Sequence, residues 1–216
     1  MSRTTVRQAL GELEREGALR KEKGRGTFVA EPLSASWLLQ SSHGFHEDAT
    51  REGKTVTSRL LRSELEVLPD WAADALGMPP GSHGVTVERV RSVDGQLAMY
   101  VLNYLAPELA DTVLAAELEH GSLYRTLAER EGLTVAGGRR VVEAATAADE
   151  LARLLGVKPG APLLFVESVS WDESQRPFEC YRAWHRSDRS KIEVQVMGSG
   201  APGAAGTTST TRQTTD

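Results

Sequence analysis

Two stretches of the chain repeat one another. DALGMPPGSHGVTVERVRSVDGQLAMYV at 74–101 parallels RLLGVKPGAPLLFVESVSWDESQRPFEC at 153–180, an offset of 79 residues. Repeated units bury their apolar faces against one another, so this pattern restricts the fold more than any single motif does. Each copy has a short helix ending in Leu-Gly, a Pro-Gly turn, a strand rich in Val, Leu or Phe, a polar turn and a returning strand. The polar turns are Val93 to Gln96 and Asp172 to Gln175. A further strand precedes each copy, at Ser58 to Leu68 and at Arg139 to Thr146. The unit is therefore β-α-β-β, occurring twice. Between the copies, PELADTVLAAELEHGSLYRTLAEREGL reads as two helices broken at His120 and Gly121. The expected fold is α+β, with six strands in one antiparallel sheet and helices on one face closing the core.

The totals suit such a fold: 40% of the 216 residues are hydrophobic and 25% charged. The lone cysteine, Cys180, offers no disulfide framework and no cysteine metal cluster, and it reads as a buried thiol in a reducing compartment. No apolar stretch approaches the roughly 20 residues a bilayer span needs, and the N-terminus carries no apolar signal segment. Both point to a cytoplasmic protein. No Ser/His/Asp order, HExxH, CxxC pair or phosphate loop stands out, so neither catalysis, a cofactor nor a metal is expected.

The net charge of -5 is uneven. Residues 1–30 carry seven Lys/Arg against four Glu, a small basic head on an acidic body. That polarity suits a head that meets a polyanion, or a charged helix face that is merely solvated. Ser2 can cap a helix whose apolar residues Val6, Ala9, Leu10 and Leu13 form one stripe up to Gly17. Arg3, Thr4 and Arg7 lie on another face, where guanidinium groups can read guanine edges or grip phosphates. In KGRGTFV, Gly24 and Gly26 bracket Arg25 in a tight hairpin whose tip, Lys23 to Arg25, presents cations and backbone amides.

SRTTVRQALGELEREGALRKEKGRGTFVA, residues 2–30, resembles the recognition helix and wing of the GntR family of winged helix-turn-helix repressors. The resemblance implies operator contacts from Ser2, Arg3, Thr4 and Arg7 on the helix and from Lys23, Gly24 and Arg25 on the wing. That family places two further helices ahead of this one. The expectation is therefore that Met1 is a GTG codon inside a longer reading frame, the alternative being a truncated chain that binds operator weakly or not at all. A winged helix reads one half-site of a palindrome, so a homodimer is expected.

Residues 44–196 resemble the UTRA effector-sensing domain of the HutC subfamily of these regulators, which shares its fold with chorismate lyase. The LGMPPG turn, the VERVRSVDG hairpin, GSLY, the PFEC strand and the closing HRSDRSKIEVQV carry the likeness together. The expected organisation is a partial winged helix over 1–30, a linker over 31–43 leading into a short helix at HGFHEDATREGK, the UTRA domain over 44–196, and a disordered tail over 197–216. The tail's composition, GSGAPGAAGTTSTTRQTTD, is small and polar.

Arg89 and Arg91 lie two apart on a strand and share a face, where they can form an anion clamp. The alternative is a pair of surface arginines salt-bridged to Glu143 or Glu179. The resemblance implies that Arg89, Arg91 and Ser122 hold a ligand's phosphate and that Glu179 holds ligand hydroxyls. Val101 stands where sugar binders tend to have a second glutamate. His185 stands where an aromatic is common, and His46 sits on the entry segment that can close over a ligand. Each histidine equally suits a satisfied surface or core position. The set suits a small anionic effector, a phosphate or a less polar carboxylate. Arg186 to Arg189, RSDR, reads as a structural turn in which Asp188 pairs with a neighbouring arginine. Trp37, Trp171 and Trp184 read as core or interface residues.

The function these features imply is a ligand-responsive DNA-binding repressor whose effector changes operator affinity. Two rivals stand beside it. One is a ligand-binding or dominant-negative dimerisation module without DNA function. The other is a lyase-like enzyme, which turnover of aromatic pyruvyl ethers would reveal.

Overall fold

In a computed structural model of the chain, residues 6, 10, 19–22, 26–29, 35–38 and 44–193 are described. Strands β1 (Leu19–Glu22) and β2 (Gly26–Val29) pair antiparallel, from Leu19↔Val29 to Glu22↔Gly26, which is the hairpin expected of the head. Val6 and Leu10 are helical and each is 42% exposed, so the apolar stripe of the head is uncovered at both positions.

The body begins with β3 (Ala35–Leu38) and α1 (Gly44–Arg51), followed by β4 (Val56–Val67) and α2 (Asp70–Ala75). The hairpin β5 (His83–Val93) and β6 (Gln96–Leu105) leads through a 3-10 turn to α3 (Ala110–Leu114) and α4 (Leu123–Glu131). The second copy runs β7 (Gly137–Thr146), α5 (Asp149–Leu155), β8 (Pro162–Trp171) and β9 (Pro177–Arg186), and β10 (Ser190–Glu193) closes it. Six strands form one antiparallel sheet in the order β4-β5-β6-β9-β8-β7. Each repeat supplies three adjacent strands, and the copies meet at β6 and β9, from Met99↔His185 to Leu105↔Glu179.

Local chemistry sets these elements. Gly77 and Gly156 take φ +69° and +64° where the repeat helices end, a left-handed conformation that side chains with a Cβ resist. Asp94 and Gly95, both at positive φ, turn β5 directly into β6. Asp172 pins the second hairpin by accepting from the backbone of Ser174 and Arg176 at 2.8 and 3.0 Å.

Alternation puts Val85, Val87, Arg89 and Arg91 of β5 on the same face as Val101, Asn103 and Leu105 of β6 and as Glu179, Tyr181 and His185 of β9. Helices α3 and α4 cover one end of this face, burying Val113, Leu123 and Leu127 against Val85, Val87 and Leu105. Helix α1 covers the other end, with Phe45 and Ala49 against Met99, Val101 and Ala183. The opposite face takes the repeat helices. Ala72 and Ala73 of α2 pack on Tyr104, Val169 and Cys180, and Ala152 and Leu155 of α5 pack on Leu163.

Helices therefore lie on both faces of the sheet, not on the one face expected from sequence. The reason is in the central strands. β6 packs Leu102 and Tyr104 on one side and Met99, Val101 and Leu105 on the other, so each side needs cover. Residues 31–43, expected as a linker, include one short strand. There β3 pairs parallel with β10, from Ser190↔Ala35 to Glu193↔Leu38. The four residues ASWL are too short to show a strand period, and their partner lies more than 150 residues on.

The expectations for Cys180, the RSDR turn and Trp184 hold. Cys180 is buried and its thiol donates to the Ala72 carbonyl at 3.8 Å. Arg186 donates to both carboxylate oxygens of Asp188, at 2.7 and 3.1 Å, across the turn that ends β9. Trp184 packs between Tyr100 and Phe165, with ring centroids 5.6 and 5.1 Å away. No helix among the described residues is long and apolar enough to cross a membrane.

Candidate functional site

Where α1 and the start of α4 fail to close over the sheet, a cavity remains, with about 490 Å3 of unfilled space once its open mouth is included. Strand β5 supplies Arg89 and Arg91. Val101 and Asn103 of β6 and Tyr181 and His185 of β9 make the floor, and Arg140 of β7 reaches in from the far side. Phe45, His46 and Glu47 of α1 form the roof, and Ser122 and Tyr124 form the end wall.

The two arginines are 2% and 6% exposed, so neither is a surface residue. Glu143, one of the carboxylates considered as their partner, is exposed on β7 at the sheet's edge. Glu179, the other, reaches Arg89 only through an intermediary. The Nη2 of Arg89 donates to Asn103 Oδ1 at 2.9 Å, and Asn103 Nδ2 donates to Glu179 Oε1 at 2.7 Å. Tyr124 donates its hydroxyl proton to the other oxygen of Glu179 at 2.9 Å. Glu179 is thus fully buried behind the end wall, and it orients Asn103 and Tyr124 rather than lining the cavity itself.

Four further guanidinium nitrogens are unused. Nε and Nη1 of Arg89, and Nε and Nη2 of Arg91, are buried with no hydrogen-bond partner among the described residues. Burying such groups unpaired costs free energy that an acceptor entering the cavity would return. Burial lowers the Arg89 pKa to about 10, opposed by Glu179. Burial, and then the charge of Arg89, lowers that of Arg91 to about 9. Both stay cationic at neutral pH. The Arg91 guanidinium carbon sits 5.2 Å from the centre of the Phe45 ring.

The histidines are neutral members of this wall. Burial foremost, and then the charge of Arg91, pushes His185 down to about 3, and its ring meets Phe45 edge-on at 5.9 Å. His46 is lowered by burial and by Arg91. Ser122 is buried and caps α4, its hydroxyl oxygen accepting from the Arg125 amide at 3.2 Å.

The fold therefore gathers Arg89, Arg91, Ser122, His46 and His185 around one cavity and sets Glu179 behind it. Sequence reading missed Asn103, Tyr124, Glu47 and Arg140. Tyr124 stands two residues after Ser122 in GSLY, and Asn103 shares the face of Val101 by simple alternation. Arg140 and Glu47 carried no such signal, because their place depends on how far strands and a helix reach over the sheet. The expected DNA contacts Ser2, Arg3, Thr4, Arg7, Lys23, Gly24 and Arg25 lie outside the described residues, as does the tail over 197–216. Among the described residues no group of three or more His, Cys, Asp or Glu is placed to hold a metal ion.

Comparison with known proteins gives two family matches, the UTRA domain over residues 51–191 and the bacterial regulatory proteins of the gntR family over residues 1–29. The HTH-type transcriptional repressor NagR of Bacillus subtilis (strain 168) is 31% identical over 191 residues, covering 88% of this chain and 77% of that protein. The histidine utilization repressor of Pseudomonas putida is 32% identical over 196 residues, covering 89% and 76%. The crystal structure of PhnF from Mycobacterium smegmatis superposes with a TM-score of 0.71 at 26% identity, covering 93% of this chain and 87% of that one.

Proposed function

Given that this chain belongs to the GntR family of bacterial regulatory proteins and carries their UTRA domain, we propose that its cavity takes a small anionic effector that resets the affinity of the head for operator DNA. The chain is a transcriptional regulator with an effector-binding body. The finer reading places it in the HutC subfamily, as a cytoplasmic homodimer and a repressor rather than an enzyme.

One observation carries the anionic effector: two guanidinium groups, almost fully buried and with four N–H-bearing nitrogens unpaired, face a single cavity. A phosphate or carboxylate would accept from both arginines by charge-assisted bonds. The Ser122 hydroxyl stands within the same wall as a further donor. Ligand binding then changes operator affinity by its differential affinity for the two arrangements of the protein. In this reading Ser2, Arg3, Thr4 and Arg7 contact operator from the recognition helix, and Lys23, Gly24 and Arg25 from the wing.

Fluorescence anisotropy on labelled operator DNA tests both halves. Arg3→Ala and Arg7→Ala weaken operator binding and reduce its salt slope while leaving effector binding intact. Arg89→Ala does the reverse, leaving ligand-free operator binding intact and abolishing the response to the anion. Operator binding that no anion shifts would overturn the reading, and turnover of aromatic pyruvyl ethers would replace it with an enzyme.

A further inference from the structure

We infer that the effector carries a basic nitrogen as well as its anionic group, and that Glu47 receives that nitrogen. The inference rests on reading the cavity as an anion-binding effector site and adds a second charge to the ligand.

Glu47, in the first turn of α1, stands between the cavity and a neighbouring groove lined by Arg125, Ala128 and Leu133, and borders both. Its side chain is 17% exposed, and both carboxylate oxygens are shielded from solvent with no hydrogen-bond partner among the described residues. The nearest cation is Arg125, whose Nη2 lies 3.8 Å away, beyond hydrogen-bond length, on a side chain that is 54% exposed. The positive end of the helix favours a carboxylate in the first turn but leaves its lone pairs unmet. A shielded carboxylate with no hydrogen bond and only a distant, exposed arginine for a partner is costly unless a closer cation or donor answers it.

The cavity itself offers an answer that is not taken. Arg91 feels the charge of Glu47, yet Nε and Nη2 of Arg91 and both oxygens of Glu47 are all without hydrogen bonds. The sheet wall and the helix wall thus hold opposite charges, each with hydrogen-bonding capacity unmet. His46 beside Glu47 is biased to its neutral form, and the Tyr124 hydroxyl is committed to Glu179. A simple anion would satisfy Arg89 and Arg91 but bring its charge toward Glu47. A neutral polyol would leave both walls short of charge. A ligand with an anionic end and an ammonium end answers each wall with the opposite sign, and an ammonium has donors for both oxygens of Glu47.

The test is calorimetric titration of the full chain with two matched pairs, ethanolamine phosphate against 2-hydroxyethyl phosphate, and 4-aminobutyrate against 4-hydroxybutyrate. In each pair an ammonium replaces a hydroxyl at nearly constant size. In at least one pair the amino compound should bind about tenfold more tightly or better, as expected of a charge-assisted hydrogen bond. Glu47→Gln should bring that pair to within about twofold while still binding the hydroxyl compound, which also shows that the variant is folded. Hydroxyl compounds that bind as tightly as their amino partners would overturn the inference and leave the anion site standing. An amino preference that survives Glu47→Gln would also overturn it. If Glu47→Gln does not fold, the comparison within each pair on the unaltered chain decides. Failure of all four compounds to bind overturns the inference and the anion site together.

Discussion

Arg91 and Phe45 face one another across the joint between sheet and first helix, with the guanidinium carbon 5.2 Å from the ring centre. The sheet wall of the cavity and its roof are therefore in direct contact, and a group that draws Arg91 toward itself acts on α1. Phe45→Leu keeps an apolar plug but removes the ring face from Arg91 and the ring edge from His185. Chemical denaturation should show a loss of about 1–2 kcal/mol. No loss would mean that the ring contributes volume alone.

Arg91→Met should raise ligand-free stability while destroying the function the residue serves. The change removes a buried charge with two unused donors and keeps an apolar stem of similar length. Replacing buried ionic groups by apolar ones is often stabilising by about 1–4 kcal/mol. The expected outcome is a higher Tm without ligand and an anion affinity lower by about tenfold to a hundredfold. A lower Tm would show that the guanidinium is satisfied in the empty protein.

Tyr124→Phe isolates the support behind the end wall. Tyr124 and Asn103 both donate to the buried carboxylate of Glu179, and Ser170 is a third hydrogen-bonding neighbour. Burial raises the pKa of Glu179 and these bonds hold it down, so losing one raises it further. The unfolding free energy at pH 7 should drop by about 1–3 kcal/mol. A group whose pKa is raised on folding stabilises more at low pH, so the deficit should shrink as the pH falls toward 5. A deficit that is constant with pH would assign the loss to packing.

His185 gives stability the opposite slope. Its pKa of about 3 in the fold lies below the 6.5 of an unperturbed imidazole, so between those values the unfolded chain binds a proton that the folded chain does not. Stability contributed by the neutral ring is complete above about pH 7 and falls by about 1.4 kcal/mol per pH unit below 6.5. His46 is shifted in the same direction and persists in the variant. Denaturation of His185→Phe at pH 7 and pH 5 should show about 2 kcal/mol less acid loss than the unaltered chain. Equal losses would place the acid sensitivity elsewhere.

The repeat made the sheet legible because its punctuation is local: Gly77 and Gly156, and the Asp94-Gly95 turn, are fixed by what a Cβ allows. The division of helices between two faces was hidden. β6 and β9 are apolar on both sides, and such strands do not say which helix covers which side. Arg89 and Arg91 were readable as a pair from strand alternation alone, and so was the unanswered charge. Glu179 was read as a ligand contact, yet the sheet places it one residue pair beyond the cavity, behind Asn103. Only the register Asn103↔Tyr181 and Leu105↔Glu179 fixes that depth, and register across a seam between distant segments leaves no mark in a single sequence.

The sheet order also carries a consequence for any shortened version of this protein. The ladder between β6 and β9 is the boundary where the two copies of the unit join. A chain containing either copy alone would end its sheet on a bare central strand whose apolar residues face both ways. Such an edge recruits whatever strand will cover it. A half-length product would therefore find its missing partner in a second molecule of itself, and its solution mass would be that of a pair.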